Sequence, residues 1–387
     1  MDLARARYLV SPAGKSALAS LPAGLPVESP GRLATALRRT FPAAEASALA
    51  EQLTLRARAS RNHGISREFL YTAEGLEMMT HPLVAARRAD RLAGYEREVV
   101  DLTAGLGGDL HAVAARDVPC AGLEREPATA LLAAANTGVP VVRGDAAHPP
   151  FDVARLAVVL DPSRRAGTSR TFDPAAYSPR WDAAVAIATS AAAGVIKAQP
   201  GIDASYIPPG IELEAVQLGT SMRELTIWFG QGAEPGIRRA VLLPAGETLE
   251  SNEPEAPPEP RAPATFLFDP ESCVTRSTLV RQLAHRLGAW MLDPHIAYLS
   301  ADAAAFSPLA ATFQVLEALP FSVSRLKERM RQGRWRADEI RRRAFPVEPD
   351  EMRKLLGRLE GDPVTLLFTT IGSQRTVFIC RRLFAPA

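Results

Sequence analysis

Four acidic residues stand in or just past short apolar runs, and their spacing sets the chemistry open to this chain: Asp101, Glu124, Asp145 and Asp161. Asp101 lies within Val99-Val100-Asp101-Leu102, a run that predicts a buried strand, and is followed by Thr103-Ala104-Gly105-Leu106-Gly107-Gly108-Asp109. Strand, glycine turn and helix in succession let a backbone approach a ligand closely above a helix N-terminus. Glu124 comes 19 residues after Gly105, at the end of a second apolar run. An acid at that separation can accept both ribose hydroxyls of an adenosine-type cofactor; capping the helix ahead of Pro127 is the plainer use. Asp145 follows Val142-Arg143-Gly144, where it could accept from an adenine amino group or make an ordinary Gly-Asp turn. Asp161-Pro162 ends a fourth run and sets a charge and a rigid turn at the sheet edge where open α/β folds bind ligands.

Dinucleotide enzymes and methyltransferases share this beginning. Here the turn is Gly-Leu-Gly-Gly-Asp and not Gly-x-Gly-x-x-Gly, and the flanking Asp101 and Asp109 would oppose an anionic pyrophosphate. S-adenosylmethionine has no phosphate and carries an ammonium and a sulfonium, so the carboxylates favour it. The sequence has no Gly-x-x-x-x-Gly-Lys-Ser/Thr phosphate loop and no Gly-x-Ser-x-Gly nucleophile elbow.

The elements that must hold these residues follow from hydrophobic periodicity. Residues 1–92 form an N-terminal helical region, with apolar spacing of three and four in Leu33–Arg39 and Ala46–Leu55. The basic cluster Arg56, Arg58, Arg61, Asn62 and His63 suits a solvated helix face, and Thr80 or His81 before Pro82 marks a helix start. Residues 93–243 alternate apolar runs with helical stretches, an α/β domain with a mainly parallel sheet. Three late runs, Leu213–Leu218, Leu225–Phe229 and Arg239–Leu243, are expected to be antiparallel at one edge. Residues 244–263 are rich in proline and glutamate and predict an extended linker. Beyond it, 264–310 and 311–387 form an α+β tail whose segment 325–343 holds nine basic residues against three acidic ones. That segment suits either an RNA backbone or a solvated helix face.

Composition limits the alternatives. With 387 residues and a net charge of +2, the chain calls for several domains and for no global polyanion binding. Only four of its 45 basic residues are lysine, a bias that fits an arginine-rich genome. Cys120, Cys273 and Cys380 are far apart and have no metal-ligand spacing, so neither a metal site nor a disulfide scaffold is expected. No apolar run approaches the roughly 20 residues of a membrane span, and a cytoplasmic protein is expected.

Asp101–Asp109, Glu124, Asp145 and Asp161-Pro-Ser-Arg-Arg165 together resemble the class I S-adenosylmethionine-dependent methyltransferases. More narrowly they resemble the bacterial family with a C-terminal THUMP-like domain. Thr72–Pro82, Ile196-Lys197-Ala-Gln-Pro-Gly201 and the arginine-rich 325–343 segment extend the match. The resemblance implies a Rossmann-like seven-stranded sheet, a ferredoxin-like segment over 264–310, a THUMP-like domain over 311–387 and methylation of RNA, either rRNA or tRNA. It implies cofactor binding by Asp101, Thr103, Gly105, Gly107, Asp109, Glu124 and Asp145, and catalysis by Asp161 and Pro162. Ser163 and Arg164 stand where amino-methylating relatives have proline and an aromatic residue. Arg164 and Arg165 suit a phosphate or a base face, or equally an ion pair bracing the loop. Lys197, at the same edge, suits a substrate contact or an ordinary surface position. The alternatives are an RNA-binding protein with this fold and no turnover, and a methyltransferase of a protein or small molecule.

Overall fold

A computed structural model describes the chain except residues 23–24, 64–67, 164, 167–168, 171–172, 254–258 and 386–387. It divides into two units, Met1–Glu212 with Thr226–Pro235, and Leu213–Leu225 with Gly236–Ala387.

The first unit opens with helices α1 (Leu3–Val10), α2 (Pro12–Ser20), α3 (Pro30–Leu37), α4 (Ala43–His63), α5 (Ala73–Met78) and α6 (Pro82–Ala93). Their starts follow from side chains that satisfy free amides: Asp2, Ser11 and Thr72 accept from Arg5, Gly14 and Gly75 N–H groups, and His81 caps Leu83 ahead of Pro82. The apolar faces of the early helices bury Leu9, Leu33, Leu49 and Leu76 in one cluster with Leu106 and Leu132 of the following α/β layer. The helical region is therefore no detached arm. Asn136 reinforces the junction by donating to the carbonyls of Leu70 and Leu106, both at 3.0 Å. The basic cluster on α4 is largely neutralised locally: Arg61 pairs with Glu28, Arg58 with Glu77, and Arg56 donates to the Phe69 carbonyl.

The α/β layer consists of β1 (Val99–Asp101), α7 (Gly108–Ala114), β2 (Cys120–Glu124), α8 (Pro127–Thr137), β3 (Val141–Arg143), β4 (Ala157–Leu160), the short hairpin β5 (Arg165–Ala166) and β6 (Ser169–Arg170), α9 (Trp181–Ser190) and β7 (Ala193–Ala198). Strands β7, β4, β1, β2 and β3 lie side by side in that order and all run parallel. Helices cover both faces, so β4 and β7 are buried along their whole length, which is why their sequences run apolar without alternation. Asp101 stands opposite Gly122 and Val159, so β2 runs two residues and β4 one residue past the end of β1.

Two strands cross from one unit to the other, β8 (Glu212–Leu218) and β9 (Ser221–Gly230). The second unit adds β10 (Arg238–Leu243) and β11 (Glu247–Ser251). β10 is parallel to β8, with Leu213 opposite Arg238, which corrects the expectation that all three late runs are antiparallel. The chain reverses at Gly219 and again at Gln231–Gly236, and two reversals restore the first direction. The proline-rich acidic stretch, expected to be an extended linker, contains a strand: β11 pairs antiparallel with β10; residues 254–258 lie outside the described residues.

The rest of this unit holds β12 (Phe266–Pro270), α10 (Ser272–Arg276), α11 (Val280–Leu287), β13 (Trp290–Asp293), β14 (Ile296–Ala301), β15 (Ala310–Pro320), α12 (Val323–Gln332), β16 (Trp335–Arg342), α13 (Pro349–Leu356), β17 (Asp362–Ile371) and β18 (Gln374–Leu383). Their strands make one sheet in the order β13-β14-β12-β15-β18-β17-β16, so the stretches 264–310 and 311–387 share a sheet through β15. Alternation separates its faces: Leu366, Phe368, Val377 and Ile379 pack with Leu326 and Met330 of α12, whereas Leu367 and Phe378 pack with Leu267, Tyr298 and Phe313. The basic 325–343 segment is a helix followed by a strand, not one helix face. Arg329, Arg336, Arg341, Arg342 and Arg343 are each in an ion pair.

Candidate functional site

The four acids meet at the carboxyl edge of the parallel strands. Asp101 ends β1, Glu124 ends β2, Asp145 lies two residues past β3, and Asp161 follows β4 directly. Between them is the turn Thr103–Gly107, whose tightness depends on Gly105 and Gly107 at φ of +53° and +85°. A Cβ at Gly105 would meet nothing nearer than the Thr103 carbonyl at 3.9 Å, so the turn presents bare backbone to the space above it. At Gly107 the constraint is internal: a Cβ would come within 2.4 Å of Thr137 Cγ2.

The turn is knitted to the acids. Glu124 Oε2 accepts the Gly105 N–H at 3.0 Å and its Oε1 accepts the Glu126 N–H at 2.8 Å. Burial raises the Glu124 carboxyl above its ordinary range, against the pull of these amides. Asp101 Oδ1 accepts the Thr103 N–H at 2.9 Å, and Thr103 Oγ1 accepts the Asp161 N–H at 2.7 Å. Thr103 thereby fixes the ends of β1 and β4 together. Asp145 accepts the Ala147 N–H at 2.9 Å, turn chemistry that leaves Oδ2 facing His148 at 4.0 Å.

Asp101 and Asp109 are both buried yet titrate in opposite directions. Burial, then the Asp109 charge, pushes Asp101 up to about 7. Burial also opposes ionisation of Asp109, but Arg88 and Lys197 bring it down to about 2. Both oxygens of Asp109 are engaged by the protein: Oδ1 by Arg88, and Oδ2 by Thr80 Oγ1 at 2.8 Å and Lys197 Nζ at 3.1 Å.

Lys197 is not a surface lysine; it is 8% exposed. Its ammonium donates to Thr80 Oγ1 at 2.6 Å and to Asp109, and pairs with Asp161 Oδ2 at 2.5 Å. Three acceptors match the three N–H bonds of an ammonium, which suits holding Asp161 more than contacting a substrate. Asp161 keeps access to solvent, with its side chain 42% exposed. The buried Pro162 shapes the loop, and Ser163 bridges to Ser178, whose hydroxyl accepts from Arg125 beside Glu124 at 3.1 Å. Arg164 lies outside the described residues, as does the side chain of Arg165.

Thr80 and Arg88 belong to this network, although the sequence marks Thr80 only as a helix start and assigns Arg88 no role. A signal was present. Val84, Arg88 and Leu92 recur every four residues on the buried face of α6, which places a cation in an apolar stripe. Among the described residues no cluster of His, Cys, Asp and Glu could hold a metal, the three cysteines are unbonded, and no helix is long and apolar enough to cross a membrane.

Carboxylates on the carboxyl edge of a parallel sheet, around a glycine turn leading into a helix, define a Rossmann-like nucleoside-binding fold. The residues present fit S-adenosylmethionine: bare backbone at Gly105 and acceptors on Asp101, Glu124 and Asp145 offer partners for an ammonium, a ribose diol and an adenine amino group. Comparison with known proteins narrows the class. An uncharacterized S-adenosylmethionine-dependent methyltransferase of Mycobacterium tuberculosis, found in strains CDC 1551 and H37Rv, is 36% identical over 335 residues, 83% of this chain and 90% of its own. A solved structure from Porphyromonas gingivalis W83, assigned to the methyltransferases, superposes with a TM-score of 0.74 at 22% identity over 99% of this chain and 98% of its own. A family described as THUMP domain-like matches residues 310–382, and a domain of unknown function matches residues 2–59. The chain belongs to the S-adenosylmethionine-dependent methyltransferases. It is an enzyme of methyl transfer with a THUMP-like domain at its C-terminus.

Proposed function

We propose that this methyltransferase acts on RNA, rRNA or tRNA, and that Asp161 orients the accepting nucleophile. The observation that carries the catalytic part is the Lys197–Asp161 contact at 2.5 Å beside an exposed carboxylate. A carboxylate so held is fixed in direction, fit to accept an N–H or O–H from an incoming nucleophile and align its lone pair. Thr103 fixes the backbone of the same residue, and Pro162 restricts the turn after it. The cofactor supplies an electrophilic methyl group on sulfur. Asp101, the amides and carbonyls of the Thr103–Gly107 turn, Glu124 and Asp145 would hold it. Asp109 serves this site from behind, as the counter-charge that anchors Lys197, and not as a cofactor ligand. Lys197 in turn positions Asp161 and does not contact the substrate. Arg164 and Arg165 remain proposed substrate contacts from the sequence.

Support for RNA comes from the THUMP-like match, because THUMP domains proper bind RNA. Two measurements test the reading. Calorimetric titration with S-adenosylmethionine should show binding that Glu124→Ala weakens at least about tenfold; no binding to either protein at millimolar concentration rejects the site. Incubation with labelled cofactor and total cellular RNA from a deletion strain should label RNA, and Asp161→Ala should abolish the label. Label in protein or small molecules instead names a different acceptor. RNA binding without label means a binding module that retains the fold.

A further inference from the structure

The second unit contains a cleft of about 870 Å³ that the methyl-transfer reading does not use. Its walls come from Arg238 on β10, the end of β11, the first turn of α11, the β13–β14 hairpin and the residues following β16. Among the described residues four arginines line it, Arg238, Arg281, Arg342 and Arg343, with Glu253 as the one acidic lining residue. Arg342 and Arg343 are offset by Glu348 and Asp269. Arg238 differs. It is half-buried and has no hydrogen bond or ion pair among the described residues, and burial lowers its pKa. Its neighbour Arg239 is paired with Glu250 at 2.6 Å. A half-buried guanidinium without a partner among the described residues keeps its donors free for a ligand, and an anion entering the cleft would pair with it.

The cleft is more than an anion hole. The first turn of α11 has no side-chain cap, so its amides are available at the same wall. Gln282 donates through Nε2 to the Glu253 carbonyl at 3.0 Å, while its Oε1 is buried without a donor. Pro294 and Ala297 supply an apolar strip on the hairpin side. Cation, orphaned acceptor and apolar strip in a cleft of this size match a small ligand with one charged end and a flat, hydrogen-bonding body.

We propose that this cleft binds a nucleoside phosphate, its phosphate on Arg238, its base along Pro294 and Ala297, and a base N–H reaching Gln282 Oε1 after a small rotation of that side chain. The ligand is either a free nucleotide or one nucleotide of an RNA strand. The proposal does not rest on the methyl-transfer reading, since all its residues belong to the second unit.

The test is calorimetric titration of the full chain with inorganic phosphate, with the four nucleoside 5′-monophosphates and with a short single-stranded oligoribonucleotide, for wild type, Arg238→Met and Gln282→Leu. At least one nucleotide or the oligonucleotide should bind, inorganic phosphate should bind more weakly, and Arg238→Met should weaken binding about tenfold or more. Gln282→Leu should weaken the nucleotide and leave phosphate unchanged. Affinity for S-adenosylmethionine should be the same in all three proteins, which separates this site from the other. Because Arg238 makes no hydrogen bond or ion pair among the described residues, Arg238→Met should fold with an unchanged melting temperature. An oligonucleotide that binds more tightly than any mononucleotide identifies an RNA strand, and equal affinities identify a free nucleotide. No binding at millimolar concentration, binding unaffected by either substitution, or phosphate equal to every nucleotide overturns the proposal.

Discussion

Asp101 and Asp109 show how one small region gives two identical side chains opposite behaviour. An unfolded aspartate releases its proton near pH 3.9, whereas folded Asp101 keeps it up to about 7. The folded state therefore binds the extra proton across that window, and this residue's contribution to stability declines as pH rises from about 4 to about 7. Asp109, brought down to about 2, contributes stability that is present above about pH 4 and lost as pH falls toward 2. Replacing Asp101 with Asn should leave a protein whose gain in urea stability over wild type grows from pH 4 to 7 and then levels off. A gain that does not vary with pH would contradict this. Cofactor binding should follow the same group: with Asp101 facing an ammonium, affinity for S-adenosylmethionine should strengthen from pH 6 to 8 in wild type and flatten in Asp101→Asn.

At the scale of elements, the site depends on how α6 and the glycine turn are held. Arg88 is 3% exposed and places its charge on Asp109. Its removal would leave that carboxylate buried with Lys197 as its remaining cation, so Arg88→Met should cost about 3–5 kcal/mol in chemical denaturation. The turn is stiff for a steric reason. Gly107→Ala adds both a positive-φ penalty and a clash with Thr137 Cγ2, and should cost about 1–3 kcal/mol. Thr137→Ser removes the methyl group and keeps the hydroxyl, so it should recover the clash and not the dihedral penalty in the double variant. The strand–turn–helix element was legible from Val99 to Ala114 because glycines and an apolar run are local signals. The parallel setting of β8 and β10 was not, since it depends on the summed effect of two reversals. His81 as a cap was legible from Pro82, and the Val84–Arg88–Leu92 stripe pointed to a buried Arg88, while its pairing with Asp109 required knowing which face of α6 meets α7.

For the whole molecule, the basic tail is less basic in effect than in composition. Ion pairs occupy Arg329, Arg336, Arg341, Arg342 and Arg343, and leave Arg325, Lys327, Arg331 and Arg334 as the free cations of the segment among the described residues. If RNA binds along this segment alone, the slope of log affinity against log salt should be no steeper than about −3. A slope near twice that would show that the ion pairs open, or that other arginines join the contact. Filter binding across a salt series distinguishes these outcomes. The α/β unit and the tail were separable in the sequence through the proline-rich stretch, yet the compact division falls within β8 and β9. Composition marks where a chain changes character, and strand pairing decides where it changes partner.

By itself the sequence determined the order of elements, the glycine turn, the succession of acids at strand ends and the cofactor those acids favour. Each is local: hydrophobic period, residue type and spacing along the chain carry it. Tertiary structure alone decided what each charge does. Asp109 and Asp101 flank the same turn, and only the approach of Arg88 from α6 and Lys197 from β7 makes one a counter-charge and leaves the other a raised carboxyl. Lys197 read as a surface or substrate lysine until Thr80, 117 residues earlier, was seen to hold it. Burial and ion pairing are properties of neighbours in space, and the energies they set are strongest between groups that the sequence places far apart.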